Sequence, residues 1–433
     1  MINMGLTERD QRVIWHPYTQ HQNMMPPVAV LRGEGALLFD ENNRAYIDSI
    51  SSWWVNIHGH AHPYIAQKIY EQAKCLEHVI FTGFTHEPAV RLAERLLPIL
   101  PGPFSRVFYS DNGSTAVEVA IKMAIQYHRN LSRDPHPPST LLAFRNAYHG
   151  DTFGAMSVSE RGTFTAAFRD YLFDVQFIDT PNASNISELK NFISSRAGNI
   201  SAFIYEPLLQ AAGGMHMYQP GPMNDLLAHL QSNGILCIAD EVMTGFGRTG
   251  KTFASSWLAA QPDIICLSKG LTGGTMALGV TACTPQIFDA FLSEDKTRTF
   301  FHGHSFTANP IACAAALASL DLLEQADCAA GIDRILDGHG KFARTLSAPS
   351  LKLPVKNIRQ LGTVIAFELE AGADGYLNQA AHSLTRDALE SGIYIRPLGN
   401  TIYLMPPYCI TGQQLEQVYD FLLTWLQQKT GKP

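Results

Sequence analysis

Short, largely apolar runs of four to six residues recur along the chain. They lie at 106–110, 140–144, 202–205, 235–239, 264–267 and 278–283. Each is too short for a helix. The pair at 235–239 and 264–267 is apolar on both faces and rich in β-branched residues, which predicts buried strands of a parallel sheet. Helical spacing appears twice across residues 64–100, again over Ala116–Tyr127, and over the alanine-rich stretch Ile311–Glu324. Asn309 as cap and Pro310 at the first helical position mark the start of that last helix. Nearer the N-terminus, Ala36–Phe39 and Ala45–Asp48 read as a pair of strands. Trp53 and Trp54 are expected in extended chain with their rings on opposite sides. From about residue 326 the sequence becomes more polar and glycine-punctuated, the mark of a small α+β unit, within which Gly392–Pro407 reads as a hairpin. The pattern as a whole predicts an α/β fold with a mostly parallel central sheet in a large domain and a smaller α+β domain. The expected division is residues 1–62 (an N-terminal segment contributing to the small domain and the active site), 63–325 (large) and 326–433 (small).

Composition narrows the class. Of 433 residues, 46% are hydrophobic and 16% charged, ample for a buried core. The formal net charge of −7, without long runs of one sign, argues against nucleic acid as a partner. No apolar run approaches the roughly 18–20 residues a membrane span requires. The N-terminus has no basic stretch followed by an apolar one, so no signal peptide is expected. Seven cysteines, an odd number without a pairing pattern, read as reduced thiols, Cys237, Cys266, Cys283 and Cys313 within apolar runs. A cytoplasmic protein is expected.

Two of the apolar runs end in groups that such strands do not bury idly: Asp240 after the first, Lys269 after the second. Open α/β sheets bind ligands at the carboxyl ends of their strands, so the two suggest one site. Pyridoxal phosphate needs that pair. Its aldehyde is held by a lysine amine, and a carboxylate beside the pyridine nitrogen keeps the nitrogen protonated so that the ring withdraws electrons. A buried ion pair without cofactor is the alternative. Asp111-Asn112-Gly113-Ser114-Thr115 lies between a strand and a helix, where backbone N–H groups hold a phosphate, with Gly113 allowing close approach and Ser114 adding a hydroxyl. Plain N-capping would use the same residues. Gly245-Phe246-Gly247-Arg248-Thr249-Gly250 fits the dinucleotide pattern in letters only. It follows Asp240-Glu241 rather than opening a βαβ unit, and lacks the acidic partner. His58, His60 and His62 have alternate spacing, but Gly59 and Pro63 work against a regular strand, and no metal site is expected.

The block Ala239–Gly250 and the block Ser268–Gly274 resemble the signature of the class III aminotransferases, fold-type I pyridoxal phosphate enzymes. His16-Pro17-Tyr18-Thr19 and Ser51-Ser52-Trp53-Trp54 narrow the resemblance to the branch that serves biotin synthesis. The resemblance implies that Lys269 binds the cofactor and moves the proton, and that Asp240 holds its ring nitrogen. Tyr148 would lie on the ring and border the substrate, with Gly113 and Ser114 at the phosphate and Glu206 beside the site. It places Tyr18 among the catalytic residues and, with Trp53, around a long aliphatic substrate. Asp151, Arg248, Gly303, Arg396 and Tyr403 would also bind substrate, Arg396 through the substrate's carboxylate. Ser305 would reach the phosphate of a neighbouring subunit's cofactor, implying a homodimer with shared sites. Two departures stand out. Met243 replaces a glutamine that many members aim at the cofactor's phenolic oxygen, and His304-Ser305 replaces Pro-Thr. The activity implied is amino transfer from S-adenosylmethionine to 8-amino-7-oxononanoate, giving 7,8-diaminononanoate. Lysine as donor, another ω-aminotransferase activity and an aminomutase are the alternatives.

Overall fold

A computed structural model describes residues 5–370 and 381–429 of the chain, so the first four residues of the N-terminal stretch lie outside it. Its centre is a seven-stranded sheet in the order 106–110, 279–283, 264–267, 236–240, 200–205, 140–144, 175–178. Gly279–Cys283 pairs antiparallel with both neighbours, and the other six strands run one way. Alternation along a single strand shows why these runs are apolar throughout. Cys237 and Ala239 enter one core cluster, while Leu236 and Ile238 enter another on the opposite face. The helix Gly113–Leu131 covers the second face with Ala116, Val117, Ala120 and Ala124. Pro220–Ser232 and Pro310–Leu323 supply the first. Both sheet faces are therefore dry, as parallel strands require.

Local rules set the element ends. Asn112 Oδ1 accepts the Thr115 N–H at 3.0 Å while Thr115 Oγ1 accepts the Asn112 N–H at 3.1 Å, a reciprocal capping box. The polar turn expected before Ala116 is thus the first turn of the helix. Asn309 Oδ1 accepts the Ala312 N–H at 3.0 Å, and Pro310 occupies the first turn. The small residues of Pro310–Leu323 let Ser319 Oγ donate to the Gly270 carbonyl at 3.1 Å, bracing the turn that carries Lys269.

Outside the central sheet, the two ends of the chain interleave. Val30–Glu34, Leu37–Asp40 and Ala45–Asp48 form a four-stranded sheet completed by Ile393–Tyr394. Val355–Leu361, Val364–Leu369 and Thr401–Leu404 form another. The hairpin expected over 392–407 is absent: its arms pair with different sheets, Ile393–Tyr394 parallel to Ala45–Asp48 and Thr401–Leu404 antiparallel to Val364–Leu369. Pro397 has no N–H to extend a ladder, and Gly399 at φ 62 turns the chain away. The tryptophan pair also departs from expectation. Ser51–Trp54 is a tight turn with positive φ at Ser51, Ser52 and Trp54, not a strand. Asp48 makes the turn by accepting the N–H groups of Ile50 at 3.2 Å and Ser52 at 2.7 Å. The rings still diverge, Trp54 at 4% exposure and Trp53 at 43%. Among the described residues no helix is long and apolar enough to cross a membrane.

The turn at Gly362 joins the C-terminal part to the loop after Asp240. Gly362 sits at φ 57, and a Cβ there would lie 2.3 Å from the Gly250 nitrogen. Gly362→Ala should destabilise the fold by about 1–3 kcal/mol, read as a lower thermal midpoint. Gly412→Ala, where an added Cβ meets nothing within 4 Å, should leave that midpoint unchanged or raise it.

Candidate active site

Asp240 and Lys269 leave adjacent parallel strands at their carboxyl ends and line one cavity of about 680 Å³. Lys269 has φ 48, a costly conformation for a side-chain residue, held here by buried neighbours on each side. Its Nζ lies 4.7 Å from the centre of the Trp54 ring. Burial lowers the amine from its ordinary 10.5 to about 8; the Asp240 and Glu206 charges oppose that fall and Arg248 adds to it. Glu206 is pushed up to about 7 by burial, with Asp240 adding repulsion, while neighbouring His149 and two backbone donors hold it down. Those donors are the N–H groups of Tyr148 at 3.1 Å and Ala211 at 2.9 Å.

The opposite wall of this cavity is the start of the helix Gly113–Leu131, with Gly113 and Ser114 facing in. Their amides belong to the first turn, which has no intrahelical acceptor to offer them. The chain packs so closely here that side chains are excluded: a Cβ on Gly113 would lie 2.7 Å from Val242 Cγ1. One on Gly150, at φ 130, would lie 2.0 Å from Ser114 Oγ. Ser114 Oγ accepts the Asp151 N–H at 3.1 Å, which leaves its proton available. Tyr148 closes one side and Met243 lies in the same wall, its thioether no hydrogen-bond donor. An anion cradle at a helix N-terminus, an aromatic wall, a carboxylate and a low-pKa amine fit pyridoxal phosphate in each of its parts.

A second cavity of about 870 Å³ opens from the first past Trp54, Val55, Tyr148, Asp151 and Lys269. Tyr18, Trp53 and Phe164 form its aromatic wall, and Arg396 and Tyr403 also line it. Tyr18 Oη donates to Asp151 Oδ2 at 2.6 Å and lies 3.2 Å from Tyr148 Oη. The Tyr18 ring meets those of Trp53 and Phe164 edge-on at 5.4 and 5.7 Å. Arg396 stands over the Trp53 ring at 5.1 Å and has no carboxylate partner among the described residues. Tyr403 accepts from Trp54 Nε1 at 2.9 Å. Burial pushes the Tyr148 and Tyr403 phenols upward, so both remain protonated.

Three of the expected residues stand elsewhere. Arg248 lines neither cavity. It is 1% exposed, donates to the Pro406 carbonyl at 2.9 Å and the Trp54 carbonyl at 3.3 Å, and stacks over Tyr408. The loop turns inward at Phe246 and Gly247, both at positive φ, so the guanidinium braces the shell behind Trp54 and does not face substrate. Gly303 and Ser305 are exposed on a segment outside both cavities, flanked by Phe301 at 77% and Phe306 at 64% exposure. Sequence reasoning also missed His149, whose Nδ1 lies 2.7 Å from Asp240 Oδ2. A histidine directly after Tyr148 in the same turn was the available signal. His58 bonds the carbonyl and hydroxyl of Ser319, and His60 bonds Asp48.

Comparison with known proteins agrees with this geometry. The aminotransferase class-III family matches residues 18–426. The adenosylmethionine-8-amino-7-oxononanoate aminotransferase of Synechococcus elongatus is 48% identical over 428 residues, covering 96% of this chain and 98% of its own. The enzyme of that name from Helicobacter pylori is 36% identical and covers 98% of each chain. The crystal structure of its counterpart from Methanocaldococcus jannaschii matches with a TM-score of 0.92 at 33% identity over 98% of both chains. An ω-transaminase from Pseudomonas jessenii in complex with PMP gives 0.91 at 25% identity over 99% of both. The fold is that of the fold-type I transferases, and the chain belongs to the class III aminotransferases.

Proposed function

We propose that this protein is a pyridoxal phosphate-dependent aminotransferase of biotin synthesis that moves an amino group from S-adenosylmethionine to 8-amino-7-oxononanoate. The observation that carries the reading is the joining of two cavities: a cofactor-shaped one holding Asp240 and Lys269, and an elongated aromatic one bearing Arg396. The names of the relatives support the substrates.

Bound pyridoxal phosphate supplies an electron sink. The chain's residues do the rest. Gly113 and Ser114 receive the phosphate with backbone N–H groups at the positive end of their helix. Asp240 at the cavity floor would face the cofactor's ring nitrogen and favour its protonation, and Tyr148 would lie against the ring. Lys269, poised near neutrality, would hold the cofactor through its amine and would move the proton at the substrate's reacting carbon. Arg396 takes the carboxylate of the acceptor in a bidentate bond. Tyr18, Trp53 and Phe164 enclose the aliphatic chain and exclude water, while Asp151 and Tyr18 hold each other at the cavity mouth. Gly303 and Ser305, exposed beside apolar Phe301 and Phe306, complete the site of a second subunit in a homodimer. The chain divides at residues 62 and 325, and the protein works in the cytoplasm.

The deciding measurement follows the visible absorbance of cofactor-loaded enzyme mixed with S-adenosylmethionine alone. The band should disappear and return on adding 8-amino-7-oxononanoate. A response to lysine but not to S-adenosylmethionine would replace the donor, and conversion of one substrate alone to a rearranged amine would indicate an aminomutase. Lys269→Ala should abolish multiple turnover; sustained turnover would sink the mechanism. In cofactor-free protein, capture of pyridoxal phosphate needs the neutral amine. Since Lys269 titrates at about 8, the capture rate should rise with pH through 8 and level off above it. An ordinary lysine would keep gaining up to its value of 10.5. Arg396→Ala should raise KM for the acceptor by about tenfold to a hundredfold, as loss of a charge-assisted bond predicts, with a smaller effect on kcat.

A further inference from the structure

The turn that carries both tryptophans is strained, and what holds it lies outside both cavities. Ser51, Ser52 and Trp54 have φ of 53, 58 and 69, conformations that persist only where the surroundings impose them. Asp48, fully buried, imposes them. Its Oδ1 accepts the Ile50 N–H at 3.2 Å, and its Oδ2 accepts the Ser52 N–H at 2.7 Å and the Ser52 hydroxyl at 3.3 Å. One more group reaches Oδ2: His60 Nε2, at 2.8 Å. A carboxylate only accepts, so Nε2 carries a proton and donates it. His60 is itself built in. Its N–H donates to the Gly35 carbonyl at 2.7 Å, and a Cβ on Gly33 would lie 2.5 Å from the His60 Cβ. Neither Asp48 nor His60 lines the cofactor cavity or the substrate cavity. Without the imidazole, Oδ2 would be a buried acceptor short of a donor, free to swing away from the amides it now gathers.

We propose that His60 is a positioning residue for the acceptor: by orienting Asp48 it fixes the turn that seats Trp53 against Arg396. The two tryptophans depend on that turn unequally. Trp54 has anchors of its own, a bond from Nε1 to Tyr403 at 2.9 Å and one from Arg248 to its carbonyl at 3.3 Å. Trp53 is seated by the turn and by ring contacts, 5.4 Å from Tyr18 and 5.1 Å from the Arg396 guanidinium. Loosening Asp48 therefore moves Trp53 first. The wall around Arg396 shifts, while Trp54, 4.7 Å from the Lys269 amine, stays in place. His60 thus acts on recognition of the acceptor's carboxylate and not on the chemistry at Lys269. The inference deepens the substrate reading above and rests on it.

The test compares His60→Gln with His60→Met in the full, cofactor-loaded enzyme. A glutamine amide nitrogen stands three bonds from Cβ, where Nε2 of histidine stands; methionine fills similar space and donates nothing. His60→Met should raise KM for 8-amino-7-oxononanoate by about tenfold, as loss of a bond to a charged group predicts, and leave the half-reaction with saturating S-adenosylmethionine within about twofold. His60→Gln should stay near wild type in both. Equal KM in the two variants, or a half-reaction that falls as far as KM rises, would overturn the proposal. His60→Asn, whose amide stops one bond short, carries the comparison if the methionine variant does not fold. Crystal structures of the variants read the same difference without activity. Ser51 and Ser52 should keep positive φ in the glutamine variant and lose it in the methionine variant, with Trp53 displaced from Arg396; an unchanged turn would sink the idea. If the wild type does not turn over the acceptor, the substrate reading falls, and the crystal comparison still decides what His60 does.

Discussion

Everything in this protein's site turns on keeping an amine reactive where water is scarce. Burial alone would strip the proton from Lys269 and leave nothing to tune; carboxylates alone would hold it protonated well above neutrality. The opposing pulls of burial and of Asp240 and Glu206 leave the amine at about 8. Such a balance needs several ionisable groups in one dry place, an arrangement that is unfavourable unless each has partners. The fold provides them from its backbone. Glu206 receives two amides, Asp240 one amide and an imidazole, and Arg248 gives its protons to two carbonyls. Glu241, next to Asp240 and fully buried, accepts the N–H groups of Ala254 and Ser255 and the Thr244 hydroxyl, which ties down the loop that follows.

Those backbone groups are available because the sheet ends there. At a strand's carboxyl end the ladder stops, and the chain can turn so that its amides point inward. The turns are sharp enough to require unusual conformations: Lys269, Phe246 and Asn146 all have positive φ, and Gly150 could not carry a Cβ without striking Ser114. Strain collected at one edge of a rigid sheet is tolerable because the strands behind it are apolar on both faces and packed on both sides. The sheet's dry interior and the site's polarity are thus two ends of one arrangement.

What the sequence made legible follows the same division. The strands at 140–144 and 264–267 could be read from periodicity because burial on both faces leaves a nearly unbroken apolar run. Asp240 and Lys269 stood out for the reverse reason, as lone charges closing such runs. The tryptophan turn was misread because its cause, the Asp48 carboxylate capturing two amides, lies in tertiary geometry that adjacent aromatics do not reveal. The hairpin at 392–407 failed similarly, its arms claimed by two different strands earlier in the chain, one more than thirty residues away and the other some 350. His149 carried no pattern of its own. A histidine in a turn is commonplace until the structure shows a carboxylate against one of its nitrogens.

Arg248 shows how a family match can name a residue rightly and its place wrongly. A guanidinium in a loop after the key carboxylate invites a role in anion binding, yet both of its hydrogen bonds end on carbonyls, those of Trp54 and Pro406. These carbonyls belong to the two segments that frame the substrate cavity, the tryptophan turn and the approach to Tyr408. The Arg248 carbonyl in turn accepts from Thr363, beside the Gly362 contact. One buried cation therefore joins the N-terminal turn, the C-terminal strand region and the loop from the central sheet. Its charge, with no carboxylate in an ion pair with it among the described residues, adds to the forces that lower the Lys269 amine. Position and electrostatics make the same residue a brace for the cavity and a contributor to the chemistry, without any contact with a ligand.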